Sequence, residues 1–435
     1  MMKTGSVVVR RFGGRNSRRA LAAGIAALAL AATATTMAAS VSAAPTVTVN
    51  FATQAIAQAS WAKAVAEFEQ ANPNIKINAK YLPGDYGGLL KTQINAGNIP
   101  DVFYTAPGNG ASQSLLPFVY RKGLLMNLKN EAFVKRIPAF VKPLVSTSKG
   151  VYSWPGDINI LALWYNRPGL RALGIKPPET FPELLTLCRK VSAAGKIPVA
   201  LATVPSNSAG TLIAVAGTPL KAMAPAWMKA RKKGQTTFAA SAGWRGAADS
   251  VLKMKSANCF SPGVASSPIQ QVFGQLATGQ ALIYAGASQI LNGVFPLIKD
   301  RSAVDFNGVP FPGAKKGQGA VLLTPNDGLS VWVHSKVRDA ALTFVRYLAD
   351  TKNAARFAAS NGNADLEGFE KNKLPGFMSG ILPAVKNKQT QLNPASIWPN
   401  PRLREALGTT TIGLLTGQKT TAQTLADLDR TYSEG

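Results

Sequence analysis

An early stretch of the chain switches repeatedly between the hydrophobic periods of strands and helices. Residues 46–51 and 75–79 alternate apolar and polar side chains, which predicts two strands. A helix with Ser60 as its N-cap is expected between them, a second helix is expected over 89–96, and residues 102–104 predict a buried strand. Because strands and helices alternate over so short a distance, the pattern predicts a parallel sheet with helices on its faces.

The same alternation restarts after residue 150. Residues 161–165 and 196–201 predict strands, and Thr180 with Glu183 between them predicts a capping box at the start of a helix. An amphipathic helix is expected over 340–349. The chain is therefore predicted to fold as two α/β units.

Residues 1–43 have the composition of an export signal. Six lysines and arginines and no acidic residue occur within 1–19, followed by the apolar residues 20–32 and small residues up to Ala43. An apolar segment of this length is too short to span a bilayer, so we expect a signal peptide cleaved after Ala43. The arginine pair at 18–19 fits twin-arginine export as well as the general route. No cysteine lies near the cleavage site to carry a lipid, so a free periplasmic or secreted protein is expected.

The charge balance of the chain is strongly basic. The formal net charge is +27, and +21 remains once the six signal-peptide positives are removed. The basic residues are scattered, with short runs only at 231–233 and 315–316, and no zinc finger or other nucleic-acid motif is present. We therefore expect a diffuse surface charge and no nucleic-acid partner. The sequence has no apolar run of transmembrane length after the signal region.

Cys188 and Cys259 are the only two cysteines of the chain. In an exported protein an even number of cysteines favours a disulfide, and two separate buried thiols are the alternative. A bridge between them would close a loop of about 70 residues and stabilise the fold by about 4 kcal/mol in the chain-entropy model.

The single histidine limits the catalytic chemistry that the chain could perform. A Ser-His-Asp triad could be built only around His334, which lies at a predicted strand end. Metal-ligating residues are not clustered, and neither a dinucleotide fingerprint nor a P-loop is present. These absences indicate a binding protein without cofactor, metal or catalytic residue. An exported carbohydrate-active enzyme, with two carboxylates facing a cleft, is the alternative from a different class.

Short motifs follow one another in a fixed order along most of the exported part. They are Phe-Glu-Gln-Ala-Asn-Pro at 68–73, Ala-Gly-Asn-Ile-Pro-Asp-Val at 96–102, Tyr-Ser-Trp-Pro at 152–155, Trp-Tyr-Asn at 164–166, Pro-Glu-Thr-Phe-Pro-Glu-Leu at 178–184, Thr-Gly-Gln-Ala-Leu at 278–282 and Pro-Phe-Pro-Gly at 310–313. In this order the motifs resemble those of the extracellular solute-binding proteins of family 1, the group that includes maltose-binding protein.

The resemblance implies an α/β chain with the two-lobed periplasmic binding protein fold of type II, in which a hinge joins the lobes. One lobe would contain residues 44–157 and 331–375, and the other would contain 158–330 and 376–435. It also implies that a monomer captures a carbohydrate between the lobes and delivers it to an ABC permease in the membrane, with closure of the lobes burying the ligand.

The resemblance further implies which residues contact the ligand. Sugars present hydroxyls to planar polar side chains and flat faces to aromatic rings. By position in the family pattern, the candidate ligand-binding residues are Gln54, Tyr104, Asn109, Asp157, Asn159, Gly286 and Trp398. Trp398 is expected to stack on the sugar, whereas residues 286–288 read Gly-Ala-Ser where the family often has Gly-x-Trp. A long oligosaccharide is therefore less expected than a smaller or differently shaped ligand.

Two further alternatives follow from the basic charge. A glycerol phosphoester or another anionic small solute would require an arginine or lysine in the cleft. A surface-adhesion protein that binds anionic polymers would instead lose its affinity as salt is added, because such binding depends on counterion release.

Overall fold

A computed structural model describes residues 45–109, 114, 116–205, 207–399 and 401–434. The predicted signal peptide, residues 1–43, lies outside the described residues. The chain from Pro45 onward forms one compact unit. In the part of the chain that the structure describes, no helix is both long enough and apolar enough to cross a membrane.

The strands are short, apart from three of eight or more residues. Their bounds are β1 Val47–Gln54, β2 Ile75–Leu82, β3 Val102–Tyr104, β4 Ser146–Thr147, β5 Gly150–Val151, β6 Asp157–Asn166, β7 Ile197–Ala200, β8 Ala281–Ala287, β9 Phe306–Val309, β10 Val321–Asn326, β11 Leu329–Val331, β12 Ala364–Asp365 and β13 Thr390–Leu392.

Helices fill most of the connections between the strands. They are α1 Gln58–Ala71, α2 Tyr86–Asn95, α3 Leu116–Arg121, α4 Lys142–Val145, α5 Arg167–Ala172, α6 Phe181–Ala193, α7 Asn207–Gly217, α8 Pro225–Lys232, α9 Ala242–Ser256, α10 Ile269–Ala277, α11 Leu291–Val294, α12 Arg338–Leu348, α13 Thr351–Ser360, α14 Leu366–Glu370, α15 Leu382–Lys386, α16 Arg402–Thr416 and α17 Thr421–Ser433. Turns of 3-10 helix occur at Ala55–Ala57, Ala132–Arg136, Val264–Ser266, Ser288–Ile290, Phe295–Leu297, Gly376–Ile381 and Pro394–Ser396.

The first sheet has four strands in the order β11-β3-β1-β2. β1 runs parallel to both β2 and β3, so the prediction of a parallel sheet is confirmed for these three strands. β11 comes from much later in the chain and adds an antiparallel edge strand next to β3. The loop that follows β3 and the turn that precedes β11 are thereby brought to the same end of the sheet.

The second sheet is built around β6. It has the order β13-β10-β6-β8-β7, and β9 and β12 also pair with β6. β6 is antiparallel to β8, β9, β10 and β12, whereas β7 pairs with β8 in parallel and β13 pairs with β10 in parallel. Nine of the ten residues of β6 are buried, which explains why the sequence of this strand is nearly continuously apolar.

Of the two predicted helix starts, the one for α1 is wrong and the one for α6 is confirmed. α1 begins at Gln58 with Ala57 in the N-cap position, so the prediction that Ser60 caps this helix is wrong. The 3-10 turn after β1 starts the helix early, and the Ser60 hydroxyl instead donates to the carbonyl of Ser360 at 3.0 Å. The capping box of α6 is confirmed, with Thr180 and Glu183 each accepting the other's backbone N–H.

Aromatic side chains join a late helix to the first sheet. Phe51 of β1 meets the rings of Trp61 and Phe344 edge-on, with centroids 5.0 and 5.4 Å apart. Phe357 of α13 lies 4.4 Å from the Trp61 ring. Rings in such pairs add stabilisation beyond the area that they bury. The segment that follows β11 therefore belongs to the core of the first sheet.

A disulfide joins Cys188 of α6 to Cys259, which follows α9. Both cysteines are fully buried, and they lie 71 residues apart in the sequence. The bridge anchors two helices of the second sheet to each other. It removes the alternative of two separate thiols in this structure.

Replacing both cysteines with alanine is expected to lower the free energy of unfolding by about 4 kcal/mol, because the unfolded chain regains the entropy of a long loop. Urea titration of the double variant beside the wild type measures this difference. Dithiothreitol-treated wild type serves as the chemical control and should move in the same direction. A loss below about 1 kcal/mol would contradict the stabilising role of the bridge.

Candidate functional site

The chain passes between the two sheets three times within the described residues, and polar side chains lie at each passage. Asp157 opens β6 after the chain has left the first sheet. Asp327 lies between β10 of the second sheet and β11 of the first. Asn361 and Asn363 lie between α13, which packs on Trp61, and β12, which pairs with β6. All four side chains are at most 1% exposed.

These side chains are joined by hydrogen bonds. The Asn361 amide donates to one carboxylate oxygen of Asp157 at 3.1 Å and to a carboxylate oxygen of Asp327. The Asn363 amide lies 3.0 Å from both oxygens of Asp157. The second carboxylate oxygen of Asp327 is buried and has no hydrogen-bond partner. The three passages are therefore tied to one another through a pair of buried carboxyl groups.

Burial determines the electrostatics of this pair. It raises the pKa of both Asp157 and Asp327, because a charged carboxylate is disfavoured away from water. The charge of Asp327 raises the pKa of Asp157 further, whereas the amide donors Asn361 and Asn363 oppose the shift. The pair therefore retains protons at a pH where exposed carboxyl groups have lost theirs.

Tyr104 extends the network toward the first sheet. Its hydroxyl donates to the Asn326 side-chain oxygen at 3.1 Å, and the nearby Gln54 side chain lowers the pKa of this phenol. Burial is the main cause that raises the pKa of Tyr104, and the positive charge of Arg404 acts in the opposite direction. The negative charge of Asp327 also raises the pKa of Tyr104. Gln54, Tyr104 and Asp157 thus lie near one another, and their role as ligand contacts stays a prediction.

Asn159 and the residues after β8 extend the network into the second sheet. The Ser288 hydroxyl lies 3.0 Å from the side-chain oxygen of Asn159 and 2.9 Å from that of Asn363. Gln289 joins the Asn361 and Asn326 amides, at 3.2 and 3.3 Å. A continuous chain of hydrogen bonds therefore runs from Asn159 to Tyr104.

Gly286 lies beside this network and makes its contacts through the backbone. Its carbonyl accepts a hydrogen bond from the Trp164 indole at 2.8 Å. A β-carbon at this position would lie 2.5 Å from the Tyr284 hydroxyl, so a side chain here requires the tyrosine to move. The glycine thus leaves space for the side chain of Tyr284, which lies two residues earlier in β8.

Asn109 and Trp398 are not brought into the network. Asn109 is exposed, and its backbone N–H donates to the Ser396 carbonyl at 2.7 Å. Trp398 is 1% exposed and packs in the apolar core of the second sheet, 6.5 Å from the Phe238 ring. The ring of Trp398, which was predicted to stack on a sugar, is covered by protein in this structure. Its stacking role stays a prediction.

Sequence reasoning missed Asp327 and Asn361. Residues 326–328 read Asn-Asp-Gly and residues 361–363 read Asn-Gly-Asn. This composition is typical of a turn, so the sequence could indicate that each segment follows a strand or a helix. Their pairing with Asp157 was not visible, because Asn361 lies 204 residues away from it in the sequence.

The chemistry of the network is that of a hydrogen-bonding site. Amides, carboxyl groups and a phenol can donate to and accept from sugar hydroxyls in several directions. Within the described residues, no group of three or more His, Cys, Asp or Glu side chains is arranged to hold a metal ion.

The buried carboxyl pair predicts an unusual pH dependence of stability. The unfolded chain releases the Asp327 proton above about pH 4, whereas the raised pKa makes the folded chain keep it, so this group lowers the free energy of unfolding as pH rises. Asp327→Asn removes the titration. Its stability relative to wild type should therefore increase by about 1 kcal/mol or more between about pH 5 and pH 8.

Urea titrations at several pH values measure this difference. The exposed carboxylate of Glu370 provides the matched control, because Glu370→Gln should show no comparable change across the same range. A constant difference between Asp327→Asn and wild type would contradict the assigned burial effect.

Solved structures with this fold include sugar-binding proteins. The solute-binding protein RafE in complex with raffinose has a TM-score of 0.72 and 19% sequence identity, covering 89% of this chain and 99% of that one. A sugar transporter protein from Bacillus licheniformis in complex with stachyose has a TM-score of 0.70 and 19% identity, covering 89% of this chain and all of that one. At this identity the likeness establishes the α/β fold of solute-binding proteins.

Sequence comparison establishes the family. The chain is 30% identical over 140 residues to the Multiple sugar-binding protein of Streptococcus mutans, a match that spans 32% of this chain and 32% of that protein. Residues 52–355 match the family described as bacterial extracellular solute-binding protein. This match covers more than half of the sequence, and the members of the family are binding proteins. The chain belongs to the bacterial extracellular solute-binding proteins.

Proposed function

We propose that this protein captures a carbohydrate outside the cytoplasm and delivers it to an ABC importer. The observation that carries the proposal is the continuous network of amides, carboxyl groups and a phenol, contributed by both sheets and ending at Tyr104 and Gln54. Such planar polar groups match the hydroxyls of a sugar. The names of the relatives, which include proteins in complex with raffinose and stachyose, support the same class of ligand.

The proposed mechanism depends on two lobes that move about the three passages between the sheets. The lobes would contain residues 44–157 with 331–375 and residues 158–330 with 376–435. Tyr104 is 2% exposed and Asp157 is 1% exposed, so a ligand reaches them only when the lobes separate. Closure then buries the ligand, and the closed form of the monomer docks on a permease in the membrane. Export would remove residues 1–43.

Thermal-shift measurements with mono-, di- and trisaccharides test the ligand class. A ligand bound only by the folded state raises the melting temperature, by an amount that corresponds to about 2.7 kcal/mol at a hundredfold excess over Kd. Calorimetry on the saccharide that gives the largest shift then measures its affinity. Gln54→Ala should weaken this affinity about five- to tenfold, because a partly exposed amide at the network is lost.

Gln70→Ala is the matched control, since Gln70 is exposed on α1 outside the network. Its affinity should equal that of wild type. Equal weakening by both variants would place the binding elsewhere, and the absence of any saccharide shift would contradict the proposal. Product released from glycosides would favour the exported enzyme. Binding only to anionic polymers, with collapse at added salt, would favour the adhesion protein.

A further inference from the structure

A loop of the first sheet and a turn of the second sheet contact each other away from the three passages. The loop follows β3 and contains Gly108 and Asn109, and the turn is the 3-10 segment Pro394–Ser396, which follows β13. The Asn109 N–H donates to the Ser396 carbonyl at 2.7 Å. Gly108 and Ser396 are both buried, although each lies in a connection between elements. The two sheets are therefore joined here by a direct backbone contact.

This close approach requires a glycine at position 108. The φ of Gly108 is +95°, in a region of backbone conformation that L side chains rarely adopt. A β-carbon there would lie 1.9 Å from the Ser396 carbonyl oxygen and 2.9 Å from its carbonyl carbon, whereas real β-carbons stay beyond 3.0 Å. Both atoms belong to the backbone, so rotating a side chain cannot relieve the clash.

Each half of the contact is fixed within its own part of the fold. The Gly108 N–H donates to the carbonyl of Leu144 in α4 at 3.0 Å, which holds the loop. The Asn393 N–H donates to the carbonyl of Leu323 in β10 at 2.8 Å, and the Asn393 side-chain oxygen accepts the N–H of Ala395 at 3.1 Å. Because neither segment moves without breaking these hydrogen bonds, a clash between them is expected to push the proposed lobes apart.

We infer that the contact of Gly108 and Asn109 with Ser396 is a latch that holds the two proposed lobes closed, and that Gly108 is a positioning residue for ligand binding. This inference rests on the proposed function of the site. Tyr104, a proposed ligand contact, ends β3 shortly before Gly108 and is 2% exposed. A ligand beside Tyr104 enters and leaves only when the lobes separate, so the latch determines how long the ligand stays bound.

The substitution Gly108→Ala tests the latch. In small-angle X-ray scattering without a ligand, the variant should have a larger radius of gyration than wild type, because the added β-carbon separates the lobes. In stopped-flow measurements, the saccharide that gives the largest thermal shift should dissociate from the variant about tenfold faster than from wild type, since release requires opening.

Gly97→Ala provides the matched control. Gly97 follows α2 with a φ of +80°, and a β-carbon there would meet no atom within 4 Å outside its chain neighbours. This variant introduces the same kind of backbone strain without the clash, so its radius of gyration and its dissociation rate should equal those of wild type. Circular dichroism should show that both variants are folded. Equal effects of the two variants, or no effect of Gly108→Ala, would overturn the latch.

Hydrogen exchange of the wild type tests the latch without any substitution. The Asn109 amide should exchange about tenfold or more slowly than the same amide in an unstructured chain, because it is bonded to Ser396. Exchange at the unstructured rate would overturn the latch and leave the proposed function in place. A larger radius for Gly108→Ala together with no binding of any saccharide would overturn the proposed function and leave the contact between the lobes in place.

Discussion

The buried hydrogen bonds among Asp157, Asp327 and Asn361 hold the three passages between the sheets together. A carboxyl group that loses its water must find donors or keep its proton, and both responses occur here. The Asn361 and Asn363 amides provide the donors, and the raised pKa values of the two aspartates favour the protonated form. These polar contacts add to the apolar cluster that the two sheets share, in which Phe51 of β1 and Ile160 of β6 are both buried.

The polar core is also the place where the proposed function puts the ligand. Two of its members, Gln54 and Tyr104, come from the end of β1 and the end of β3. The carboxyl pair makes its hydrogen bonds within the protein, to the Asn361 and Asn363 amides. In the proposed function, Gln54 and Tyr104 are the members of the polar core that contact the ligand.

Much of the fold was predictable from the sequence because it depends on local patterns. The alternation of β1 and β2, the proline and turn residues between elements, and the reciprocal bonds of Thr180 with Glu183 are all properties of neighbouring residues. Ser60 was misassigned because the 3-10 turn after β1 starts α1 early, and turns of this kind have no strong sequence signal.

The candidate site residues that the sequence could indicate lie at the ends or beginnings of strands. Gln54 and Tyr104 end β1 and β3, and Asp157 opens β6 after Trp154-Pro155, whereas Trp398 lies in the core beside Phe238; their contacts with a ligand stay predictions. Asp327 and Asn361 reach the polar core from distant parts of the chain. Their contribution depends on how helices pack on sheets, which neither hydrophobic period nor turn composition records.

A crystal structure of the protein with a bound saccharide tests the central claim most directly. The account predicts that the saccharide lies between the two sheets, within hydrogen-bond distance of Gln54 or Tyr104, with the Asp157–Asn361 hydrogen bond intact. A saccharide bound away from these residues, for example in the small surface pocket lined by Phe133 and Trp154, would contradict it.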